Sequence, residues 1–105
     1  MDIKFEIAKI NRDKLKLKRE LERLIFLRYY SFNELKCKCC NEKNMVFLVL
    51  DHINGKGTKQ REEIGRGNKF YHWLITNDFP VGYQVLCHNC NWAKHRLGKC
   101  PHKET

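Results

Sequence analysis

The sequence lacks an apolar run long enough to cross a bilayer, and its longest such run, Met45–Leu50, has the length of a strand. Its first residues carry charge from Asp2 onward, so no secretory signal is predicted. Internal repeats and low-complexity segments are also missing, apart from two similar cysteine turns. These absences argue against membrane, secreted and repeat proteins, and they lead us to expect a cytoplasmic, intracellular protein.

The chain is also short and strongly basic. Its 105 residues suffice for one domain, but such a domain buries little apolar surface. We therefore expect additional cross-links that stabilise the fold. The 21 basic residues exceed the 12 acidic residues, which gives a net charge of +9. Solubility would account for this excess, but a polyanionic partner such as nucleic acid accounts for it better. Charge alone does not distinguish DNA from RNA.

The N-terminal residues are predicted to form a helix. The first 30 residues contain neither Gly nor Pro, and Leu17, Leu21 and Leu24 recur at helical spacing among basic residues. We therefore predict a basic helical extension over residues 1–36. The simplest interpretation of its apolar stripe is a surface that packs on the core. The functional alternatives for this helix are contact with phosphate and a dimer interface.

The remaining sequence alternates short strand and helix patterns. A strand over Met45–Leu50 precedes a glycine-rich basic loop that contains a short helical turn. A helix over Lys69–Thr76, a strand over Tyr83–Leu86 and a helix over Asn91–Leu97 follow.

Six cysteines in a chain without a secretory signal indicate metal binding rather than disulfide formation. Cys37 and Cys40 form one C-x-x-C pair, and Cys87 and Cys90 form a second. Two such pairs supply the thiolates of a tetrahedral structural zinc site. Zinc would connect two regions that are far apart in sequence and would stabilise a small core.

Three further side chains are candidates for metal binding. Cys39 and Cys100 are left over after the two pairs are assigned, together with His102. Cys39 can be a small buried apolar side chain. The three residues can instead contribute to a second zinc site, and the sequence leaves both alternatives open.

A separate set of residues carries candidate catalytic chemistry. Asp51 and His52 stand at the end of a predicted strand, and Asn91 and His95 share one face of a predicted helix. Carboxylate and amide oxygens suit magnesium, and a neutral histidine accepts a proton from water near neutral pH. An Asp-His pair alone is common. A hydrolytic site is favoured because this pair lies between the two cysteine pairs along the chain and Asn91 follows the second pair.

In combination these motifs resemble those of HNH endonucleases of the His-Me finger superfamily. The chain is most similar to the small HNH proteins of phages and mobile introns and to the recombination endonuclease VII type. The resemblance covers residues 37–102, and its motifs are specific only in combination. The matching segments are Cys37–Cys40, Leu48–Gly57, Phe70–Leu74, Phe79–Lys94 and Cys100–His102.

The resemblance implies an α+β fold with a small ββα-metal (His-Me finger) core, stapled by structural zinc and preceded by the basic helix. It implies that Asp51 and Asn91 hold a catalytic magnesium or manganese ion, with His95 as a further ligand. His52 would be the general base. The residues that it assigns to structural zinc are Cys37, Cys40, Cys87 and Cys90.

The predicted function is therefore metal-dependent hydrolysis of phosphodiester bonds in DNA, whose backbone basic side chains hold without reading sequence. The main alternative is a non-catalytic zinc-finger module that binds nucleic acid, and a third is a zinc-stapled protein that binds an acidic protein. A homodimer and a monomer that nicks one strand are both left open. The predicted phosphate contacts are Lys56, Lys59, Arg61, Arg66 and Lys94.

One position departs from the HNH pattern. Many HNH proteins place an asparagine at the start of the second strand to orient the catalytic histidine, and Gly82 stands there in this sequence. A backbone carbonyl would then orient His52. Asn54 is a second candidate, although forming the turn is its simpler role.

Overall fold

The computed structural model describes residues 2–104, and the side chains of Thr58, Asn68, Lys103 and Glu104 lie outside that description. The described residues form helices around a two-stranded antiparallel sheet, which confirms the predicted α+β class. None of the helices among them combines the length and the apolar composition that crossing a membrane requires. In chain order the helices and strands are α1 (Ile3–Tyr30), β1 (Leu48–His52), α2 (Gly57–Glu63), α3 (Asn68–Thr76), β2 (Tyr83–Cys87) and α4 (His88–Leu97).

Helix α1 confirms the predicted N-terminal helix, but only its C-terminal part packs against the rest of the chain. It begins after Asp2, whose side chain accepts a hydrogen bond of 3.0 Å from the backbone N–H of Lys4. Phe26, Leu27 and Tyr30 are buried in the core, whereas residues 2–21 are all exposed. The exposed part therefore projects from the core, and the molecule is 61 Å long and 30 Å wide.

The prediction that the apolar stripe of α1 packs on the core is wrong for most of its length. Leu17 and Leu21 are each more than half exposed, and Leu24 is only half-buried. The spacing correctly indicated a helix, but α1 carries two apolar faces and the spacing does not show which of them is covered. The core lies against the face that carries Phe26 and Leu27.

The strand predicted from Met45 begins later, at Leu48. A short 3-10 turn over Met45–Phe47 precedes it, and the side chain of Asn44 caps this turn by accepting a hydrogen bond of 3.0 Å from the N–H of Val46. Arg23 of α1 holds the turn in place, because its guanidinium donates hydrogen bonds to the carbonyls of Met45 (2.5 Å) and Leu48 (2.6 Å). A polar cap thus overrides the strand propensity of these residues.

The two strands position the residues at the end of β1. They pair in an antiparallel register that places Asp51 opposite Gln84 and His52 opposite Tyr83. Helices α1 and α4 each pack against both strands. The end of β1 with its Asp-His pair therefore lies between β2 and α4.

Two predicted segments have more regular structure than expected. The basic segment after Gly55 folds into α2 over Gly57–Glu63. Helix α4 begins at His88 rather than at Asn91, because Cys87 caps it with a sulfur that accepts from the N–H of Cys90 at 3.5 Å. The second cysteine turn is therefore the start of the helix that carries the candidate metal ligands.

Candidate active site and metal centre

The two C-x-x-C pairs come together as predicted. Cys37 and Cys40 lie in the turn after α1, while Cys87 and Cys90 lie at the start of α4. Their sulfur atoms all lie within 4.8 Å of one another, and those of Cys40 and Cys87 are 3.6 Å apart. The first turn is fixed against the sheet, because the N–H of Lys38 donates to the carbonyl of Val85 at 2.9 Å. This group, which we call the first cysteine cluster, can hold a zinc ion.

The electrostatics of the first cysteine cluster favour a bound cation. Burial raises the pKa of the Cys37 thiol, but hydrogen bonds from backbone N–H groups, that of Cys40 foremost, outweigh burial and lower this pKa to about 7. Burial and the neighbouring thiols raise the pKa of Cys90. The cluster therefore favours the thiolate of Cys37 and disfavours that of Cys90, chiefly because burial penalises the charged form of Cys90. A divalent cation removes this conflict and keeps coordinating thiols deprotonated.

A second group of ligands lies beside the first. It consists of Cys39, Cys90, Cys100 and His102, whose ligand atoms also lie within 4.8 Å of one another. The Nδ1 atom of His102 is 3.2 Å from the sulfur of Cys100, 3.5 Å from that of Cys90 and 3.7 Å from that of Cys39. The structure thus places the three leftover residues together, and this group too can hold a metal ion.

Asp51 is the most deeply buried charged side chain near the end of β1, with 1% of its surface exposed. Its Oδ2 atom accepts hydrogen bonds from Nε2 of Gln84 at 2.8 Å and from the ammonium of Lys94 at 2.6 Å. That ammonium also donates to the carbonyls of His52 (2.8 Å) and Ile53 (3.1 Å). Lys94 was predicted to contact phosphate, but its charge is used within the protein, where it joins α4 to the end of β1.

Two buried oxygen atoms remain without a hydrogen-bond partner among the described residues. They are Oδ1 of Asp51 and Oδ1 of Asn91. The Nε2 atom of His95, whose side chain is half-exposed, lies 3.4 Å from Oδ1 of Asp51. Burying polar atoms without partners costs about 1–3 kcal/mol each, unless another group satisfies them. Carboxylate and amide oxygens are the ligands that Mg²⁺ and Mn²⁺ prefer, so these residues fit the divalent ion that the sequence implied.

His52 is held by a glutamine that the sequence analysis did not identify. Its Nε2 atom lies 2.5 Å from Oε1 of Gln60, and the hydroxyl of Tyr83 donates to the same oxygen at 2.7 Å. Because an amide oxygen only accepts, Nε2 carries the proton and Nδ1 is left as the acceptor. Gln60, rather than Asn54 or a carbonyl, thus orients the ring. No local motif marks Gln60, because this contact exists only once α2 has formed.

The predicted catalytic residues share one cavity of about 390 Å³. Asp51, His52, Asn91 and His95 all line it, so the structure brings together residues from β1 and from α4. Arg61 and Arg66, two of the predicted phosphate contacts, line the same cavity. The other residues on its wall include Gly55, Gly57, Gly67, Phe70 and Tyr71.

The other two predicted phosphate contacts line a second cavity. Lys56 and Lys59 line a second cavity of about 280 Å³, and His52 lies on the wall of both cavities. The imidazole of His52 packs closely against the backbone of α2 at Gly57. A Cβ atom added to Gly57 would lie only 3.2 Å from Nδ1 of His52. Cationic residues therefore line both of the cavities to which His52 contributes.

Comparison with known proteins gives no relative for this chain: no protein-family model, no curated protein and no solved structure matches it.

Proposed function

We propose that this protein is a metal-dependent DNA endonuclease, in which β1, β2 and α4 form a ββα-metal core. The observation that supports it best is that buried oxygens of Asp51 and Asn91 have no hydrogen-bond partner among the described residues, and that both residues line one cavity with His52 and two arginines. An unpartnered buried carboxylate oxygen is costly in a small domain, and a cation-binding function would explain its presence.

Asp51 and Asn91 would hold a magnesium or manganese ion, with His95 beside them. When bound, such an ion neutralises phosphate charge and stabilises the leaving oxygen. The chain prepares this site by fixing the carboxylate: Gln84 and Lys94 both donate to Oδ2, which leaves Oδ1 without a hydrogen bond in a residue that lines the cavity. The ammonium of Lys94 also reduces the cost of burying the negative charge.

His52 would act as the general base. Its proton lies on Nε2, against Gln60, so Nδ1 can accept a proton from the water that attacks the phosphorus atom. The edge of the Tyr83 ring and the nearby ring of Phe70, with centroids 5.0 Å and 5.6 Å from the imidazole, restrict its rotation. The base is thus pre-oriented before substrate binds.

The basic residues around the histidine would bind the DNA backbone. Arg61 and Arg66 line the cavity and can form charge-assisted hydrogen bonds with the phosphate that is cut. Lys56 and Lys59 lie where flanking phosphates would pass. Such contacts position DNA without reading its sequence, so binding should weaken steeply as salt is raised.

The first cysteine cluster would support this site through zinc. Cys90 immediately precedes Asn91 on α4, so a zinc ion on that cluster would fix the start of the helix and the amide that it carries. Such outer support of ligands is typical of metal sites.

The test is cleavage of supercoiled plasmid with Mg²⁺ or Mn²⁺ by the zinc-loaded protein and by His52→Ala. Removing a general base typically costs about 10²–10⁴-fold in rate, so the variant should lose cleavage but retain DNA binding. His72→Ala is the matched control, because His72 is exposed on α3 and does not line the cavity. If the wild type binds DNA but cuts neither linear nor branched substrates with any metal, the binding-module alternative is favoured. Equal cutting by His52→Ala would remove His52 from the mechanism.

A further inference from the structure

Cys90 belongs to both groups of metal ligands. The first cysteine cluster and the second group together offer six thiols and one imidazole, which are seven donors. Two tetrahedral ions require eight coordination positions, so seven donors complete both only if one thiolate is shared. We propose that the chain binds two zinc ions in one cluster, with the Cys90 sulfur as the bridge.

The distances around His102 agree with a tetrahedral site. With Zn–S of about 2.3 Å and Zn–N of about 2.0–2.1 Å, a sulfur and a nitrogen on one tetrahedral ion lie about 3.6 Å apart. Nδ1 of His102 lies 3.2, 3.5 and 3.7 Å from the sulfurs of Cys100, Cys90 and Cys39. The second group is therefore already near the geometry that a zinc ion requires.

The second ion would connect the two ends of α4. The helix is capped by Cys87 before its first residue and by Gly98 after its last, and the φ of +84° at Gly98 lets the chain turn back. That turn returns Cys100 to the side of Cys90, and the sulfur of Cys100 is buried there. One ion would therefore fix the C-terminal segment to the first turn of the helix.

Metal counting by native mass spectrometry tests the second ion. We expect two zinc ions per wild-type chain and one in His102→Ala. His88→Ala is the matched control, because His88 is exposed beside Cys87 but belongs to neither group, and it should keep two ions. His102 is exposed, so its removal should not prevent folding; circular dichroism checks this. A wild type with one ion, or a His102→Ala variant with two, overturns the proposal.

A second measurement tests the bridge itself. Loading the protein with an NMR-active cadmium isotope should give two resonances that split each other, because the metals are joined through one sulfur. Two resonances without mutual splitting, or a single resonance, would contradict a shared Cys90.

An independent observation concerns the exposed part of α1. Positions 3, 7, 10, 14, 17 and 21 follow alternating steps of four and three residues along one line, which we call the outer stripe. All of them except Lys14 are apolar, and each apolar side chain is more than half exposed. Alternating steps of four and three residues are the period of a two-stranded coiled coil. At 3.6 residues per turn, this line lies about 170° around the helix from the face that contacts the core. The outer stripe consists of Ile3, Ile7, Ile10, Leu17 and Leu21, with Lys14 between Ile10 and Leu17.

The charges beside the outer stripe specify the partner and its direction. One flank carries Glu6, Asp13 and Glu20, and the other carries Lys4 and Lys18. A parallel second copy would place the acidic flank against the basic flank, whereas an antiparallel copy would place like charges together. We infer that the outer stripe binds a second copy of this chain as a parallel coiled coil, in which Asp13 pairs with Lys18 of the other copy.

The mass of the protein in solution tests this dimer. Light scattering should give twice the chain mass for the wild type and one chain mass for Leu17→Glu. The control Leu15→Glu adds the same charge to an exposed leucine outside the stripe and should remain a dimer. Asp13→Lys should weaken the dimer, and the exchange Asp13→Lys with Lys18→Asp should restore it. A monomeric wild type, equal disruption by Leu15→Glu, or failure of the exchanged pair would overturn the inference.

Discussion

The hydrogen bond between Gln60 and His52 leads to a prediction that separates catalysis from stability. Oε1 of Gln60 accepts from both Nε2 of His52 and the hydroxyl of Tyr83, so Gln60→Leu removes two hydrogen bonds at once. Loss of a group that orients a functional histidine typically costs about 10–100-fold. We therefore expect kcat for plasmid cleavage to fall by about 10–100-fold, with little change in KM.

The same substitution leaves the Tyr83 hydroxyl without its partner on a side chain that is 8% exposed. An orphaned buried hydroxyl costs about 1–3 kcal/mol, so the free energy of unfolding of Gln60→Leu should fall by that amount. Tyr83→Phe in addition removes the orphaned group. The double variant Gln60→Leu/Tyr83→Phe should therefore regain stability but not activity.

Three assays decide this prediction: cleavage kinetics, urea unfolding, and nitrogen NMR of the imidazole. The NMR spectrum should show the proton on Nε2 of His52 in the wild type and a mixture of tautomers in Gln60→Leu. Full activity of Gln60→Leu would refute the reasoning. So would an equal loss of activity in Tyr83→Phe alone, because that variant keeps the bond to His52.

Three further changes have specific expected results. Lys94→Met leaves the buried charge of Asp51 with Gln84 as its remaining partner on Oδ2. The free energy of unfolding, measured by urea titration, should therefore fall by about 3 kcal/mol. An unchanged urea midpoint would contradict a stabilising ion pair between Lys94 and Asp51. Gly57→Ala places a methyl group 3.2 Å from Nδ1 of His52 and should slow cleavage about tenfold by displacing the ring, with unchanged circular dichroism. Chelation of zinc should unfold α4 and abolish cleavage, and only added zinc, not Mg²⁺ or Mn²⁺, should restore both. Because protons compete for thiolates, the chelator should act faster as pH falls.

The sequence predicted those parts of the site whose members are close in sequence or have a characteristic spacing. The C-x-x-C pairs, the Asp51–His52 pair and the i, i+4 relation of Asn91 to His95 are all local patterns, and the structure brings each set together. The order of the helix and strand patterns along the chain was also enough to predict the α+β class. Local spacing therefore predicted which residues come together in the cysteine cluster and in the cavity.

The supporting contacts could not be predicted, because they depend on register and packing. Gln84 reaches Asp51 only because β1 and β2 pair in one register, and a shift by one residue would turn it to the other face. Gln60 reaches His52 only because α2 forms in a segment that reads as a loop. Lys94 was predicted to contact phosphate, because no local pattern indicates that its ammonium lies 2.6 Å from Oδ2 of Asp51.

The most direct test of the central claim measures bound Mn²⁺ and plasmid cleavage on the same samples. Electron paramagnetic resonance counts the Mn²⁺ bound to zinc-loaded wild type and to Asp51→Asn, which keeps the size of the side chain but removes its charge. We predict that wild-type cleavage rises with occupancy of one Mn²⁺ site, and that Asp51→Asn loses binding and cleavage together. Wild-type cleavage by Asp51→Asn, or a wild type that binds Mn²⁺ and DNA without cutting, would contradict the account.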